Sequence, residues 1–352
     1  MATYSRLIRR LMITSLSIVI SRALISPLLT LFLSNKLGLN PQDVGLLLGI
    51  AVFSATLLSL YGGYIIDRLD KRQLLILTML SSGVGLMLLT FAQNLYLVTL
   101  VLIISETASA LFLICSKAML SENLPVGQRV KAFSLNYTLT NIGYAVGPMI
   151  GVVIAGVQPS APFIVAGLIA AGSVFLLLGV SREASPLSQA SQPQSFLKTL
   201  IILKNDRTMI LFTLGCLLST LVHGRFTLYL SQYLLVVSDS KRALQVMAAL
   251  LACNAITVIL LQYQIGRFLS REKLRYWIAA GTGLFILGLI GFSLADSLLS
   301  WCIAMFIFTL GEMIIYPAEF LFVDTLAPEE LRGSYYGAQN LAALGGALSP
   351  VI

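Results

Sequence analysis

Charged side chains inside apolar runs mark where this sequence can do chemistry. Arg22, Glu106, Lys117, Arg225, Glu312 and Glu319 each lie within such a run. In hydrocarbon an ionisable group is costly, so it pairs, faces a water-filled cavity, or gains and loses a proton. Arg22 has Ser15 seven residues before it and Ser26 four after, a polar stripe on one helical face. Glu106 and Lys117 return to within about 20° of a common face. Glu312 and Glu319 share a face, with Tyr316 between them. Arg22 and Glu106 fall at similar depth and are expected to pair, either as a static brace or as part of a working site. Glu312 and Glu319 have no cation on their own helix, the setting that suits a proton carrier, and Glu312 is the first candidate. His223, the one histidine, and Arg225 lie in a run that can approach Glu312. The histidine reads as a packed polar residue.

The elements that hold these residues follow from composition. Hydrophobic residues make up 57% of the 352, charged residues 11%, and the mean hydropathy is +0.90, far from the balance of a water-soluble domain. Apolar runs of about twenty residues suffice to cross hydrocarbon ~30 Å thick. Helices are expected near 11–33, 44–66, 73–91, 96–120, 132–157, 162–180, 208–235, 244–265, 276–295, 299–326 and 334–352. The first run is too long for a signal peptide. The longest polar stretch, 181–206, is rich in Ser, Gln and Pro and reads as a flexible linker. It is expected to separate a six-helix bundle (1–180) from a second, truncated bundle (207–352) without a twelfth helix.

Most Lys and Arg outside the runs fall on one side, among them Arg6, Arg9, Arg68, Lys71, Arg72, Arg129, Arg267, Arg271 and Arg332, while Lys36, Lys241 and Arg242 stand on the other. The positive-inside rule then makes the N-terminus and linker cytoplasmic, and the net charge of +8 reflects topology, with no case for nucleic acid. Cys115, Cys216, Cys253 and Cys302 are scattered singly, without metal-ligand spacing. There is no H-E-x-x-H, G-x-S-x-G or P-loop, which argues against a membrane-embedded enzyme.

The chain also repeats itself. Pro125 and Arg129 align with Pro328 and Arg332, Asn136 with Gln339, Leu31–Leu37 with Leu228–Leu234, and Arg68–Arg72 with Arg267–Arg271, where Gly266 replaces the acid Asp67. Parallel repeats joined by a linker are a transporter architecture. In the fifth run Gly143, Gly147 and Gly151 recur every four residues beside Pro148. They form a small-residue groove that serves either ordinary helix packing or a pliable seal between the halves.

These residues resemble the major facilitator superfamily. Gly63-Tyr-Ile-Ile-Asp67-Arg68-Leu-Asp70-Lys71-Arg72 is similar to its loop 2–3 signature, with Asp70 where the signature has Gly. Gly143-x-x-x-Gly147-Pro148-x-x-Gly151 is similar to the antiporter motif of its twelve-span drug:proton exporters, with Val152 in place of the final Gly. The runs SLNYTLTNIGYAVGP and LGEMIIYPAEFLFVDTLAP resemble the enterobacterial multidrug and dipeptide efflux branch, although the Arg expected in helix four is missing. The resemblance implies an all-α fold of two six-helix bundles, here with about eleven spans, and a cavity lined by the first and fourth helices of each half. It implies that Asp67 faces the start of helix eleven near Ser334 and that Lys71 pairs with Glu122. Either this contact is a conformational latch, or the loop is a solvated basic turn that only sets topology. The implied activity is proton-coupled export of small organic molecules by a monomer in a bacterial inner membrane, without cofactor or metal. A facilitator or importer on the same scaffold is the alternative.

Overall fold

The computed structural model describes residues 4–178, 195–224 and 226–348, and among these the regular structure is helical throughout. The first half comprises α1 (Arg6–Leu37), α2 (Pro41–Ile66), α3 (Lys71–Leu88), α4 (Leu95–Glu122), α5 (Val126–Ala155), α6 (Ala161–Gly172) and a short continuation α7 (Val174–Leu178). Then come α8 (Phe196–Asn205), α9 (Arg207–His223), α10 (Phe226–Val237), α11 (Ser240–Phe268), α12 (Leu274–Leu294), α13 (Leu298–Leu326), α14 (Arg332–Asn340) and α15 (Ala343–Leu348). Eight spans among the described residues are long and apolar enough to cross a membrane: α1, α2, α4, α5, α6 with α7, α11, α12 and α13. The other three expected crossings are the eighteen-residue α3 and the broken pairs α9/α10 and α14/α15.

Polar residues in the turns set the helix ends. Asn40, Asn94 and Asp206 cap α2, α4 and α9 by accepting from Asp43, Leu97 and Met209 N–H, which satisfies orphan first-turn donors. Asp70 does the same for α3, accepting from the Gln73 N–H at 3.0 Å. Its departure from the loop signature is therefore a working cap. Ser297 and Ser300 form a reciprocal capping box at the start of α13.

Three expectations on element bounds need correction. The linker does not stay irregular to residue 206, because Ser195 caps α8 and Phe196 packs edge-on to Tyr61 (5.0 Å) and Tyr64 (5.2 Å) of α2. Residues 181–194 lie outside the described residues. The helix expected over 208–235 stops at Gly224, where a Cβ would sit 2.5 Å from the Thr220 carbonyl oxygen, so a residue without a side chain fits the turn. The helix expected from 334 is split by a turn at Leu341–Ala342, where bonds run to Ala338 and Gln339, three residues back.

One core cluster joins the halves at the end of the molecule that carries Arg68, Lys71, Arg129 and Arg332, called the basic side below. It packs Ile8, Ile66, Leu120 and Phe133 of the first half with Val323, Tyr335 and Tyr336 of the second. A cluster around Leu33, Val98 and Phe163 fills the opposite end of the first half, and another around Phe285, Trp301 and Phe308 fills the second. Leu31, Leu77, Val153, Leu260 and Leu287 remain exposed, as a lipid-facing surface requires.

Candidate functional site

On the basic side Asp67 ends α2 and points at the first turn of α14. Its Oδ1 accepts the Gly333 N–H at 2.5 Å, and its Oδ2 accepts the Ser334 N–H at 2.8 Å and the Ser334 hydroxyl at 2.6 Å. Free N–H groups and the positive end of the helix dipole both favour an anion there. Burial nonetheless pushes the Asp67 carboxyl up to about 6, against the pull of those donors and of Lys71. The approach is possible because Gly63 faces Gly333 and Gly337, with a Cβ on Gly337 coming 2.8 Å from the Ser59 carbonyl. One turn further in, the Asn340 amide donates to the Ser59 hydroxyl at 3.0 Å. Lys71 pairs with Glu122 at 3.2 Å, Arg68 lies 3.6 Å over the Tyr64 ring, and Arg72 donates to the Leu178 carbonyl at 2.8 Å.

Beside this contact lies a buried charge cluster that motif reading missed. Asp324, near the end of α13, accepts from Arg129 of α5 at 2.7 Å and from the Ser121 hydroxyl of α4, and Arg332 of α14 lies 3.7 Å away. The Asp324 side chain is 0% exposed. The available signal was the internal repeat, since Ser121 and Asp324 are 203 residues apart, as are Arg129 and Arg332.

At mid-depth, Arg22 of α1 donates to Glu106 of α4 at 2.6 Å, both half-buried. Lys117 turns away from Glu106 and sets its ammonium 3.7 Å over the Phe320 ring. Glu319 is buried on α13. Glu312 takes the Tyr137 hydroxyl of α5 on Oε1 and the Asn254 amide of α11 on Oε2, each at 2.7 Å. Asn254 also donates to the Thr309 hydroxyl at 3.0 Å, and the Tyr316 ring stacks on Tyr137 at 4.8 Å. Tyr137 and Asn254 were not singled out from the sequence, because neither carries charge. His223 stacks on Phe285 at 5.2 Å and meets Tyr316 edge-on at 5.3 Å, while Arg225 is outside the described residues.

Two halves held by such contacts on one side, with internal duplication, are the architecture of a secondary transporter. The sequence profile of the Major Facilitator Superfamily matches residues 11–350. The chain belongs to this superfamily. The MFS-type transporter YdeE of Escherichia coli (strain K12) is 33% identical over 344 residues, covering 97% of this chain and 86% of that protein. The multidrug resistance protein MdtH of Yersinia enterocolitica is 25% identical over 345 residues, covering 96% and 83%. Among solved structures, the human organic anion transporter MFSD10 shares the fold with a TM-score of 0.77 at 14% identity, covering 98% of this chain and 92% of that one.

In this facilitator-superfamily protein the glycine face of α5 does not lie between the halves. A Cβ on Gly143 would come 2.8 Å from Val19, one on Gly147 2.5 Å from Ala23, and one on Gly151 would run into the Leu24 carbonyl. All three belong to α1, so the groove lets two helices of the same half approach closely, and the seal between halves expected as one of two readings has no place there. Pro148 sits among them without ending the helix. Nearer the basic side, α5 meets the second half through Arg129, Ser134 and Tyr137.

Proposed function

We propose that this protein exports small organic molecules in exchange for protons by alternating access, with Glu312 as the proton carrier and the basic side as the cytoplasmic side. The observation that carries the reading is the setting of Glu312. It lies at mid-depth where α5, α11 and α13 meet, and among the described residues it is held by two neutral donors and by no cation. A carboxyl so held can exist with or without its proton, whereas Glu106 has Arg22 as a fixed counter-charge. The docking of Asp67 at the end of α2 onto the start of α14, with the cluster around Asp324, acts as the latch that shuts the cytoplasmic mouth in this conformation and parts in the other. A relative named for multidrug resistance supports export of organic molecules.

The test is reconstitution in proteoliposomes with an imposed pH gradient and a panel of dipeptides and lipophilic cations. Substrate-driven proton flux is expected in the wild type and none in Glu312→Gln, which keeps substrate binding. Transport of a panel member that is indifferent to the gradient, in both proteins, would instead mark a facilitator.

A further inference from the structure

We infer that Tyr137 is the positioning residue that ties the charge on Glu312 to the closure of the basic side. An ionised Glu312 holds the two halves together, and a protonated one lets them part. This rests on reading Glu312 as the proton carrier.

Hydrogen bonds between the halves cluster at the basic side: Asp67 to Gly333 and Ser334, Ser59 to Asn340, and Asp324 to Arg129 and Ser121. The Tyr137–Glu312 bond stands apart from them. Along α13 it lies twelve residues from Asp324, about 18 Å at the helical rise. Among the described residues it is therefore the cross-half hydrogen bond set at the depth of the proposed proton site.

The two donors on Glu312 differ in where they come from. Asn254 on α11 belongs to the same half as Glu312 and travels with it, its amide also engaged by Thr309. Tyr137 on α5 belongs to the other half, with its ring fixed by Tyr316. A phenol donating to a carboxylate makes a charge-assisted bond, roughly twice as strong as a neutral one. When a proton from the open side adds to a Glu312 oxygen, the carboxylate becomes a neutral acid and that extra strength is lost, while Tyr137 keeps its own proton. The strength is available only when the halves are closed at the basic side, so the two protonation states prefer different conformations. Proton uptake favours opening of the basic side, and proton release favours its closure.

The titratable groups around this point are Tyr137 and Tyr144 on α5, Tyr316 and Glu319 on α13, His223 on α9, Lys117 on α4 facing Glu319, and Arg22 on α1 facing Tyr144. α11 contributes Asn254, and α12 contributes Phe285 by way of His223. Among the described residues, Glu312 is the carboxylate that receives an uncharged hydroxyl from the opposite half at mid-depth.

The experiment uses the full chain in lipid nanodiscs, with Cys115, Cys216, Cys253 and Cys302 replaced by Ala and spin labels on Gln128→Cys and Glu272→Cys, two exposed positions on the basic ends of opposite halves. The distance distribution is followed from pH 5 to pH 9. Asp67 titrates alike in every variant, so differences from the wild type report Glu312 and Tyr137. Tyr137→Phe is expected to lower the closed-to-open ratio about tenfold at high pH, as loss of a hydrogen bond to a charged group predicts, and to leave it near wild type at pH 5. Glu312→Gln should keep only the Asp67 step, with a ratio below wild type at high pH, and adding Tyr137→Phe to it should change nothing further. Should Tyr137→Phe fail to fold, Glu312→Asp keeps the charge, withdraws it from reach of the phenol, and should lower the high-pH ratio in the same way. A Tyr137→Phe profile that matches the wild type, with Glu312→Gln keeping only the Asp67 step, overturns the role of Tyr137 alone. A Glu312→Gln profile that matches the wild type overturns the proton-carrier reading beneath it.

Discussion

Replacing Asp324 by Asn removes one negative charge and almost no volume, from the point where the ends of α4, α5, α13 and α14 meet. In the closed form Arg129 and Arg332 are 8% and 6% exposed, and Asp324 is their shared acid at 2.7 and 3.7 Å. Taking away one partner of a buried pair leaves an uncompensated charge and costs about 3–5 kcal/mol. Opening the basic side would return both arginines to water, so the loss falls on the closed form. At about 1.4 kcal/mol per factor of ten, the closed-to-open ratio should fall on the order of a hundredfold or more. Arg332 has a second acid, Glu329, at 3.5 Å, so Arg332→Ala should act less than Arg129→Ala, and both less than Asp324→Asn. Ser134 is a suitable reporter, being 0% exposed and turned toward Gly266 of the opposite half. In a background without other cysteines, Ser134→Cys should be almost inert to a water-soluble maleimide and should react readily once Asp324→Asn is added. A monodisperse, correctly folded Asp324→Asn protein with the slow labelling of its parent would refute the argument.

Other expectations follow from the same contacts. Asp67→Ala leaves the Gly333 and Ser334 N–H groups without their acceptor and should weaken closure by about 1–3 kcal/mol, read by the same labelling. The Asp67 carboxyl, at about 6 in the closed form against an ordinary 3.8, binds its proton more tightly closed than solvated. Its contribution should therefore favour closure as pH falls through 6 and withdraw as pH rises, a step that Asp67→Asn should erase from the labelling profile. Glu106→Gln leaves Arg22 without its partner at 2.6 Å. It should lower the folded yield by fluorescence size-exclusion, by less than a fully buried pair would, because both groups keep some contact with solvent. Gly147→Ala brings a methyl against Ala23 and should cost about 1–3 kcal/mol in thermal stability, with no change in the pH response.

The apolar segments were legible because hydrophobic length is set by the membrane and little else in this chain competes with it. Where the reading failed, the information lay in contacts between distant segments. A hydropathy window sees 208–235 as continuous, whereas α9 ends at His223 and α10 begins at Phe226. The four-residue spacing of Gly143, Gly147 and Gly151 told which face of α5 is narrow and left its neighbour open, which proved to be α1. Asp70 looked like a lapse from a signature and is a helix cap. Asp324 resembled any acid at a helix end. Its importance depends on Arg129 and Ser121 arriving from the other half, and only the repeat alignment hinted at that. Tyr137 and Asn254 were invisible for a simpler reason, since neither carries a charge to set it apart in an apolar run.

The contact between Ser121 and Asp324 has a consequence for symmetry. Two positions that correspond between repeats can touch each other only close to the axis relating those repeats, and the two arginines that converge there correspond as well. Aspartate in both copies would press like charges together at that axis, and serine in both would strand two guanidinium groups. A single acid held in common fills a two-fold site with one charge. The halves of this protein, however closely one echoes the other elsewhere, must therefore differ at this point, and neither half alone completes the charge cluster.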